Sequence, residues 1–171
     1  MISYFFDKQA KKYIEFLDKI DQIFTNSQNT YDRLLHFCGK NSEILYPPTD
    51  TTRFSPADAK SPLPNLPGNY YLSFSRLSPP KRVELVVDAF LQMSDKNLVF
   101  TYGKNDPLKE EILEKCQHAK NIFPIPAPND DDFIRLVQNA IANIYIPIDE
   151  DFGMSPVESM ACGVPVIGVN E

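Results

Sequence analysis

The sequence is poor in the residues that build metal sites and disulfide frameworks. It has three cysteines and two histidines in 171 residues. The cysteines are odd in number, widely spaced and without a C-x-x-C pair, so we expect reduced core thiols. Each histidine lies on its own predicted helix, and we interpret both as surface or half-buried side chains. These residues are Cys38, Cys116, Cys162, His36 and His118.

Long apolar segments and glycine-rich nucleotide signatures are also absent. No run approaches the ~20 apolar residues of a membrane-spanning helix, and the N-terminus has no signal-peptide core. Neither G-x-G-x-x-G nor G-x-x-x-x-G-K-[ST] occurs, which excludes a dinucleotide fingerprint and a Walker loop. The net charge of −6 argues against nucleic-acid binding as the main function. The composition, with 43% apolar and 23% charged residues, is typical of a globular protein.

Prolines mark the one clear boundary in composition. The chain has 15 prolines, and they are concentrated between residues 47 and 67, where periodicity is weak. We interpret this stretch as a linker or covering loop. The predicted domains are an N-terminal piece, residues 1–48, a linker, residues 49–69, and a main body, residues 70–171.

The N-terminal piece is predicted to contain short helices and strands. Residues 3–20 show the amphipathic pattern of a helix. A second helix is expected to begin at Ser27 and to end at Gly39. Brief apolar segments at 23–25 and 43–46 predict two strands.

The main body alternates strands with amphipathic helices of about a dozen residues. This order predicts βαβ units and an α/β fold with a doubly wound, Rossmann-like parallel sheet. Prolines make the third strand an edge or interrupted strand. The predicted strands are residues 70–75, 97–102, 121–125, 144–148 and 164–169, and the predicted helix caps are Asp106, Asn129 and Ser155, with Gly163 closing the last helix.

Two strand ends of this sheet carry charged groups, and such sheets bind ligands beyond the carboxyl ends of their strands. Arg76 and Lys81 follow the first strand of the main body and can both direct positive charge at a phosphate. Glu150 and Glu158 flank the N-terminus of the last helix, whose N–H groups and dipole also suit a phosphate. Carboxylates would suit hydroxyls, so the combination fits a nucleotide sugar.

Each of these groups also has an explanation that needs no ligand. Arg76 and Lys81 can be surface bases flanking a Pro-Pro turn, and Glu150 can be an exposed loop acid. Ser155 and Glu158 have the spacing of a capping box. The acids around Glu150 have no histidine beside them, so a metal site is not favoured. Spacing alone leaves the function open.

The ordered motifs of the main body resemble those of the retaining glycosyltransferases of family 4, which have the two-domain GT-B fold. Residues 150–166 fit the E-x7-E motif of that family and its continuation, in the form closest to mannosyltransferase-like members. Order and spacing fit from about residue 70 to the end. Residues 21–27 and 44–50 are similar to the close of the acceptor domain and the interdomain link. The other matching segments are Ser75-Arg76-Leu77, Lys81-Arg82-Val83, Gly103 and Asn121-Ile122.

The resemblance implies a metal-independent enzyme without a cofactor that transfers a hexose, such as mannose, with retention. Arg76 and Lys81 would bind the donor diphosphate and stabilise the leaving nucleotide. Glu150 would orient hydroxyls of the transferred sugar, which makes it the third candidate catalytic residue, and Glu158 would hold the ribose. The other implied substrate contacts are Gly103 and Ile125 near the base, and Phe152, Gly153, Met154 and Ser155 near the sugar and phosphate.

The resemblance also implies partners and departures from the family pattern. The donor would be GDP- or UDP-linked, the acceptor a glycan or lipid-linked molecule, and the acceptor site would lie in an N-terminal domain of the same enzyme. We expect a cytoplasmic protein, peripheral to the inner face of the membrane at full length. By itself the chain is expected to bind nucleotide or nucleotide sugar weakly and to transfer little sugar. The departures are Ser75, Pro126 and Pro128, which stand where the family commonly has glycine, glycine and an aliphatic residue.

Three other functions remain open at this point. A GT-B-like domain can sense or scaffold without catalysis, although the four charged residues together speak against it. A retaining phosphorylase or a sucrose synthase has the same fold. A Rossmann-like domain with an unrelated ligand is the third.

Overall fold

The computed structural model describes residues 2–59, 61 and 63–170, with the backbone alone for residues 2–7. The predicted domain limits at residues 1 and 171 and the linker proline at 62 lie outside the described residues.

Contacts divide the chain into two units. The N-terminal unit comprises Met1–Pro48 and Glu150–Phe152, and the sheet unit comprises Thr49–Asp149 and Gly153–Glu171. The predicted linker is therefore part of the sheet unit.

The N-terminal unit contains two helices and two short parallel strands. Ser27 caps the second helix by accepting a hydrogen bond from the backbone N–H of Thr30, and the Thr30 side chain accepts one from the Ser27 backbone. Gly39 ends the helix in a left-handed conformation, with φ at +63°, which glycine adopts without strain. Both predicted limits of this helix are confirmed. The elements are α1 (Ile2–Leu17), β1 (Phe24–Thr25), α2 (Gln28–Cys38) and β2 (Glu43–Ile44).

The sheet unit contains five parallel strands that alternate with helices along the chain. The elements are β3 (Tyr71–Ser73), α3 (Val83–Leu91), β4 (Leu98–Tyr102), α4 (Lys109–Cys116), β5 (Ile122–Pro126), α5 (Asp130–Asn139), β6 (Ala142–Ile144), α6 (Met154–Ala161) and β7 (Val166–Ile167). The order across the sheet is β5-β4-β3-β6-β7, so β5 is the edge strand that its prolines predict.

Helices cover both faces of this sheet. Side chains alternate along its strands, so each strand contributes apolar residues to both faces. Leu98 and Phe100 of β4 pack in one core with residues of α3 and α4. Val99 and the β3 residue Leu72 pack in the other core with residues of α5. Both cores are buried, and the prediction of a doubly wound α/β fold is confirmed.

The apolar segment 144–148 forms less strand than predicted. The strand β6 ends at Ile144, and one further N–H, that of Tyr145, donates to the Ile167 carbonyl at 2.9 Å. Pro147 has no N–H to donate, which ends the pairing. The remaining residues of the segment belong to the loop that leaves the sheet.

The strand order creates a switch point between β3 and β6. From β3 the chain adds β4 and β5 on one side, and then β6 and β7 on the other. The loops after β3 and β6 therefore leave the carboxyl edge side by side, which is where sheets of this kind bind ligands. Every helix among the described residues is too short or too polar to cross a bilayer.

Candidate functional site

The loop after β3 carries the two candidate cations at the carboxyl edge of the sheet. The side chain of Arg76 is 65% exposed. Lys81 is the last residue of a 3-10 turn, Pro79–Lys81. Arg82 follows in a left-handed conformation, with φ at +54°, and is the N-cap of α3. Both cations therefore lie between the end of the central strand β3 and the start of α3.

Asp106 connects the loop after β3 with the loop after β4. Its Oδ2 atom accepts hydrogen bonds from the backbone N–H groups of Leu77, at 3.0 Å, and Gly103, at 2.8 Å. Its Oδ1 atom lies 3.6 Å from Nε of Arg76. The prediction that Asp106 caps the next helix is wrong, because α4 begins only at Lys109 and the carboxylate binds the N–H groups of the two loops instead.

The loop after β6 is bonded to the loop after β3 across the switch point. The backbone N–H of Ile148 donates to the carbonyl of Pro80 at 2.8 Å. Nζ of Lys81 lies 5.7 Å from the centroid of the Tyr145 ring, within the distance of a cation–π contact. Lys81 is therefore held beside the residues that follow β6.

Gly153 lies directly against Tyr145. It has φ at +82°, a conformation that side chains other than glycine rarely adopt. A Cβ atom at this position would lie 2.9 Å from Cε1 and 3.0 Å from the hydroxyl oxygen of Tyr145. Both the backbone and the tyrosine ring therefore require glycine here.

The left-handed Gly153 brings the chain into α6 two residues earlier than predicted. Gly153 is the N-cap, Met154 is the first helical residue, and no side chain caps the helix. The predicted cap at Ser155, and its capping box with Glu158, do not form. The Ser155 carbonyl instead accepts hydrogen bonds from Ser159 Oγ, at 2.9 Å, and from the amide of Asn143, at 3.4 Å. Gly163 ends the helix as predicted, with φ at +74°.

Glu158 lies on α6 and is half-buried. Burial raises the pKa of its carboxyl above the ordinary value, and the positive charge of Arg53 opposes part of this rise. Arg53 also pairs with Asp130, at 2.9 Å between Nη2 and Oδ2. A carboxylate partly removed from water binds a hydroxyl donor more strongly than one in bulk water, which suits Glu158 for a sugar hydroxyl.

Gly103 and Ile125 lie at two neighbouring strands, with different surroundings. A Cβ atom at Gly103 would lie 3.0 Å from Oδ1 of Asp106, so this glycine lets the carboxylate reach its N–H group. Ile125 lies in β5, and its side chain packs against the core that contains α5. Met154 is 37% exposed.

Glu150 and Phe152 belong to the N-terminal unit. The carbonyl of Glu150 accepts a hydrogen bond from the amide of Asn29 at 2.9 Å. The Phe152 ring lies 5.9 Å from the ring of Tyr46. Between them, Asp151 pairs with Arg33 of α2 at 3.1 Å.

The sheet unit thus brings together candidates from three strand ends, by contacts that local sequence patterns do not reveal. Asp106 joins Arg76 to Gly103, and Tyr145 joins Lys81 to Gly153. The sequence indicated neither Asp106 nor Tyr145 as part of the site. In the described part of the chain, no three His, Cys, Asp or Glu side chains are grouped closely enough to bind a metal ion.

Comparison with known protein families gives a match over most of the chain. The family model described as "Glycosyl transferases group 1" matches residues 55–171. This range contains all of the candidate residues of the sheet unit.

Individual relatives and solved structures agree with that family. The chain is 28% identical over 195 aligned positions to an alpha-1,3/1,6-mannosyltransferase, ALG2, of Candida glabrata, with 88% of the chain and 42% of the relative covered. It is 23% identical to a D-inositol 3-phosphate glycosyltransferase of Mycolicibacterium gilvum, covering 88% of the chain and 37% of the relative. The structure of a sucrose-phosphate synthase from Thermosynechococcus elongatus superposes with a TM-score of 0.79 at 19% identity, covering 95% of the chain and 44% of that protein. The chain therefore has the fold of the part of this synthase that it covers, and it spans less than half the length of each of the three proteins.

Proposed function

The chain belongs to the glycosyl transferases of group 1, and we propose that it forms the donor-binding part of a retaining hexosyltransferase of family 4. The donor is a nucleotide-diphosphate sugar, and the acceptor is a glycan or a lipid-linked molecule. The names of the mannosyltransferase relatives support mannose as the transferred sugar.

The observation that carries this proposal is the position of the two cations at the switch point. Arg76 and Lys81 follow the central strand β3, and the loop that carries them is bonded to the loop after β6. A diphosphate bound at this edge would meet a guanidinium and an ammonium together. Preorganised positive charge stabilises the negative charge that develops on a leaving nucleotide, and it is commonly the largest catalytic contribution of such a site.

The other candidate residues supply the hydroxyl contacts of the proposed site. Half-buried Glu158 holds the ribose hydroxyls, and Glu150 orients hydroxyls of the transferred sugar. The backbone N–H groups at Gly153, Met154 and Ser155 lie at the start of α6, where the helix dipole favours a phosphate. The set of contacts is completed by Phe152 in the same loop and by Gly103 and Ile125 near the base.

We propose that the reaction needs no metal ion, since the two cations and the N-terminus of α6 supply the positive charge. The full-length enzyme is proposed to act in the cytoplasm, at the inner face of the membrane. Its acceptor site is proposed to lie in an N-terminal domain.

A thermal-shift panel of GDP, UDP, GDP-mannose and UDP-glucose tests the donor class. At a ligand concentration about tenfold above Kd, binding stabilises the folded state by ~1.4 kcal/mol, which is about 3–5 °C for a chain of this size. We expect one base to give this shift and Arg76→Ala to remove most of it. The proposal is contradicted if none of the four ligands shifts the melting temperature at millimolar concentration.

A further inference from the structure

The carboxylate of Asp106 is largely buried and faces an exposed arginine of the proposed site. Its carboxylate is 9% exposed, whereas the side chain of Arg76 that it faces is 65% exposed. Two backbone N–H groups, at Leu77 and Gly103, donate to its Oδ2 atom. The other oxygen of this anchored carboxylate, Oδ1, lies 3.6 Å from Nε of Arg76.

The contact occupies only one edge of the guanidinium. Asp106 faces Nε, and it is the one side-chain partner of Arg76 among the described residues. The two terminal nitrogens remain for a ligand. A guanidinium binds a phosphate through two parallel N–H groups, so a partner at Nε orients the group without competing for its terminal edge.

Stability alone does not account for this arrangement. Ion pairs that involve a mostly exposed side chain contribute little to folding, because the attraction is screened by water and opposed by the entropy of a long side chain. A contact that restrains the Arg76 side chain before binding affects ligand affinity. A side chain that is already restrained loses less entropy when a ligand binds, which raises affinity by about two- to tenfold for each long side chain.

We propose that Asp106 is a positioning residue that directs the terminal nitrogens of Arg76 at the diphosphate of the donor. The inference rests on the proposed function, since it requires a diphosphate at the switch point. Asp106 does not itself touch the ligand. It connects the loop after β4 to the cation supplied by the loop after β3, so that two strand ends act as one phosphate site.

Asp106→Asn separates this role from a purely structural one. The amide retains one carbonyl oxygen that can accept from the Leu77 and Gly103 N–H groups, and it places an NH₂ group towards Arg76. The variant therefore keeps the tie between the loops and replaces an attraction by a repulsion. Asp58→Asn is the matched control, because Asp58 is exposed in the same unit and the change in net charge is identical.

The experiment is a titration of GDP and UDP into the 171-residue chain and its variants, with guanosine and uridine as ligands that lack the diphosphate. We expect Asp106→Asn to weaken binding of the preferred diphosphate about fivefold and to leave the matching nucleoside within about twofold. Asp58→Asn should leave both unchanged. In an Arg76→Ala background, the cost of Asp106→Asn should fall below about twofold, because the group it positions is gone.

The outcomes distinguish this inference from the proposed function. If the wild-type chain binds a diphosphate and Asp106→Asn binds it equally well, Asp106 has no positioning role and the proposed function stands. Equal losses for diphosphate and nucleoside, or equal losses with and without Arg76, mean that Asp106 acts only through the loop structure and overturn the inference. If the wild-type chain binds neither diphosphate, the inference and the proposed function both fail.

Discussion

Tyr145 leaves no room for a side chain at Gly153. A Cβ atom there would lie 2.9 Å from Cε1 of the tyrosine ring, less than the distance at which carbon atoms normally touch. The same ring lies 5.7 Å from Nζ of Lys81. One aromatic side chain thus fixes the start of α6 and contacts a cation of the proposed site.

Gly153→Ala is expected to destabilise the chain by about 2 kcal/mol. The cost has two causes, the positive φ of +82° and the contact with Tyr145. Urea unfolding measures it. Gly68→Ala is the matched control, since nothing lies within 4 Å of a Cβ atom at Gly68 and its φ is not positive. Similar losses for the two variants would contradict the close contact.

Asn121 joins the start of β5 to the end of α3 through its amide nitrogen. Nδ2 donates towards the carbonyls of Phe90 at 2.9 Å, Met93 at 3.1 Å and Lys96 at 2.9 Å. Three acceptors surround a group with two hydrogens. A hydrogen-bond donor is therefore required at this position, and a negative charge there would be destabilising.

Asn121→Asp is expected to cost about 3 kcal/mol at pH 7.5, because a buried carboxylate would face three carbonyl oxygens. Those oxygens favour the protonated acid, so the pKa of the new carboxyl is higher in the folded chain than in the unfolded chain. The unfolded state then binds fewer protons than the folded state, and the penalty disappears as the pH falls. Unfolding curves at pH 7.5 and pH 4.5 measure this difference.

The exposed residue Asn170 provides the control for that substitution. Asn170→Asp introduces the same charge without surrounding carbonyl groups, and it should change stability by less than about 0.5 kcal/mol at either pH. A loss for Asn121→Asp that is equally large at both pH values would contradict the electrostatic cause.

Helix limits and the edge position of β5 were predictable where local chemistry decides them. Asn129 caps α5 by accepting the N–H of Asp132 at 2.9 Å, and Ser27 and Gly39 bound α2. The prolines of β5 indicated its edge position. In both helices the partner of the capping residue lies within a few positions along the chain.

Two predicted helix caps were wrong. At one, distant donors bind the capping group, and at the other, a nearby glycine starts the helix earlier. Asp106 precedes a helix and has the chemistry of a cap, yet its carboxylate binds N–H groups at Leu77 and Gly103. Ser155 has a suitable spacing for a cap, but left-handed Gly153 starts the helix first. Spacing along the chain cannot show which donors from other strands reach a carboxylate.

Glu158→Gln is expected to raise the melting temperature at pH 7.5 and to have almost no effect at pH 4. Burial raises the pKa of Glu158 in the folded state. The unfolded chain therefore ionises first as the pH rises, and the folded state loses stability through this window. Glutamine does not ionise, so the variant avoids this loss of stability. Below the ordinary carboxyl pKa, Glu158 is protonated in both the folded and the unfolded chain, so the substitution has nothing to relieve.

Thermal unfolding between pH 4 and pH 8 measures the effect. Glu114→Gln is the control, because Glu114 is exposed on α4. This variant should not raise the melting temperature at any pH in the range. A melting temperature for Glu158→Gln at or below that of the wild type at pH 7.5 would show that the carboxylate is not penalised by burial. The variant should at the same time bind nucleotide more weakly, since an amide is a poorer partner for two ribose hydroxyls.

The affinity of the chain for GDP and UDP, measured with and without Arg76 and Lys81, tests the diphosphate site most directly. We expect the wild-type chain to bind one of the two nucleotides, and Arg76→Ala and Lys81→Ala each to weaken this binding about tenfold or more. Arg135→Ala, a change to a basic residue on α5, should have no such effect. Equal dissociation constants for the wild type, Arg76→Ala and Lys81→Ala would contradict a diphosphate site at the switch point.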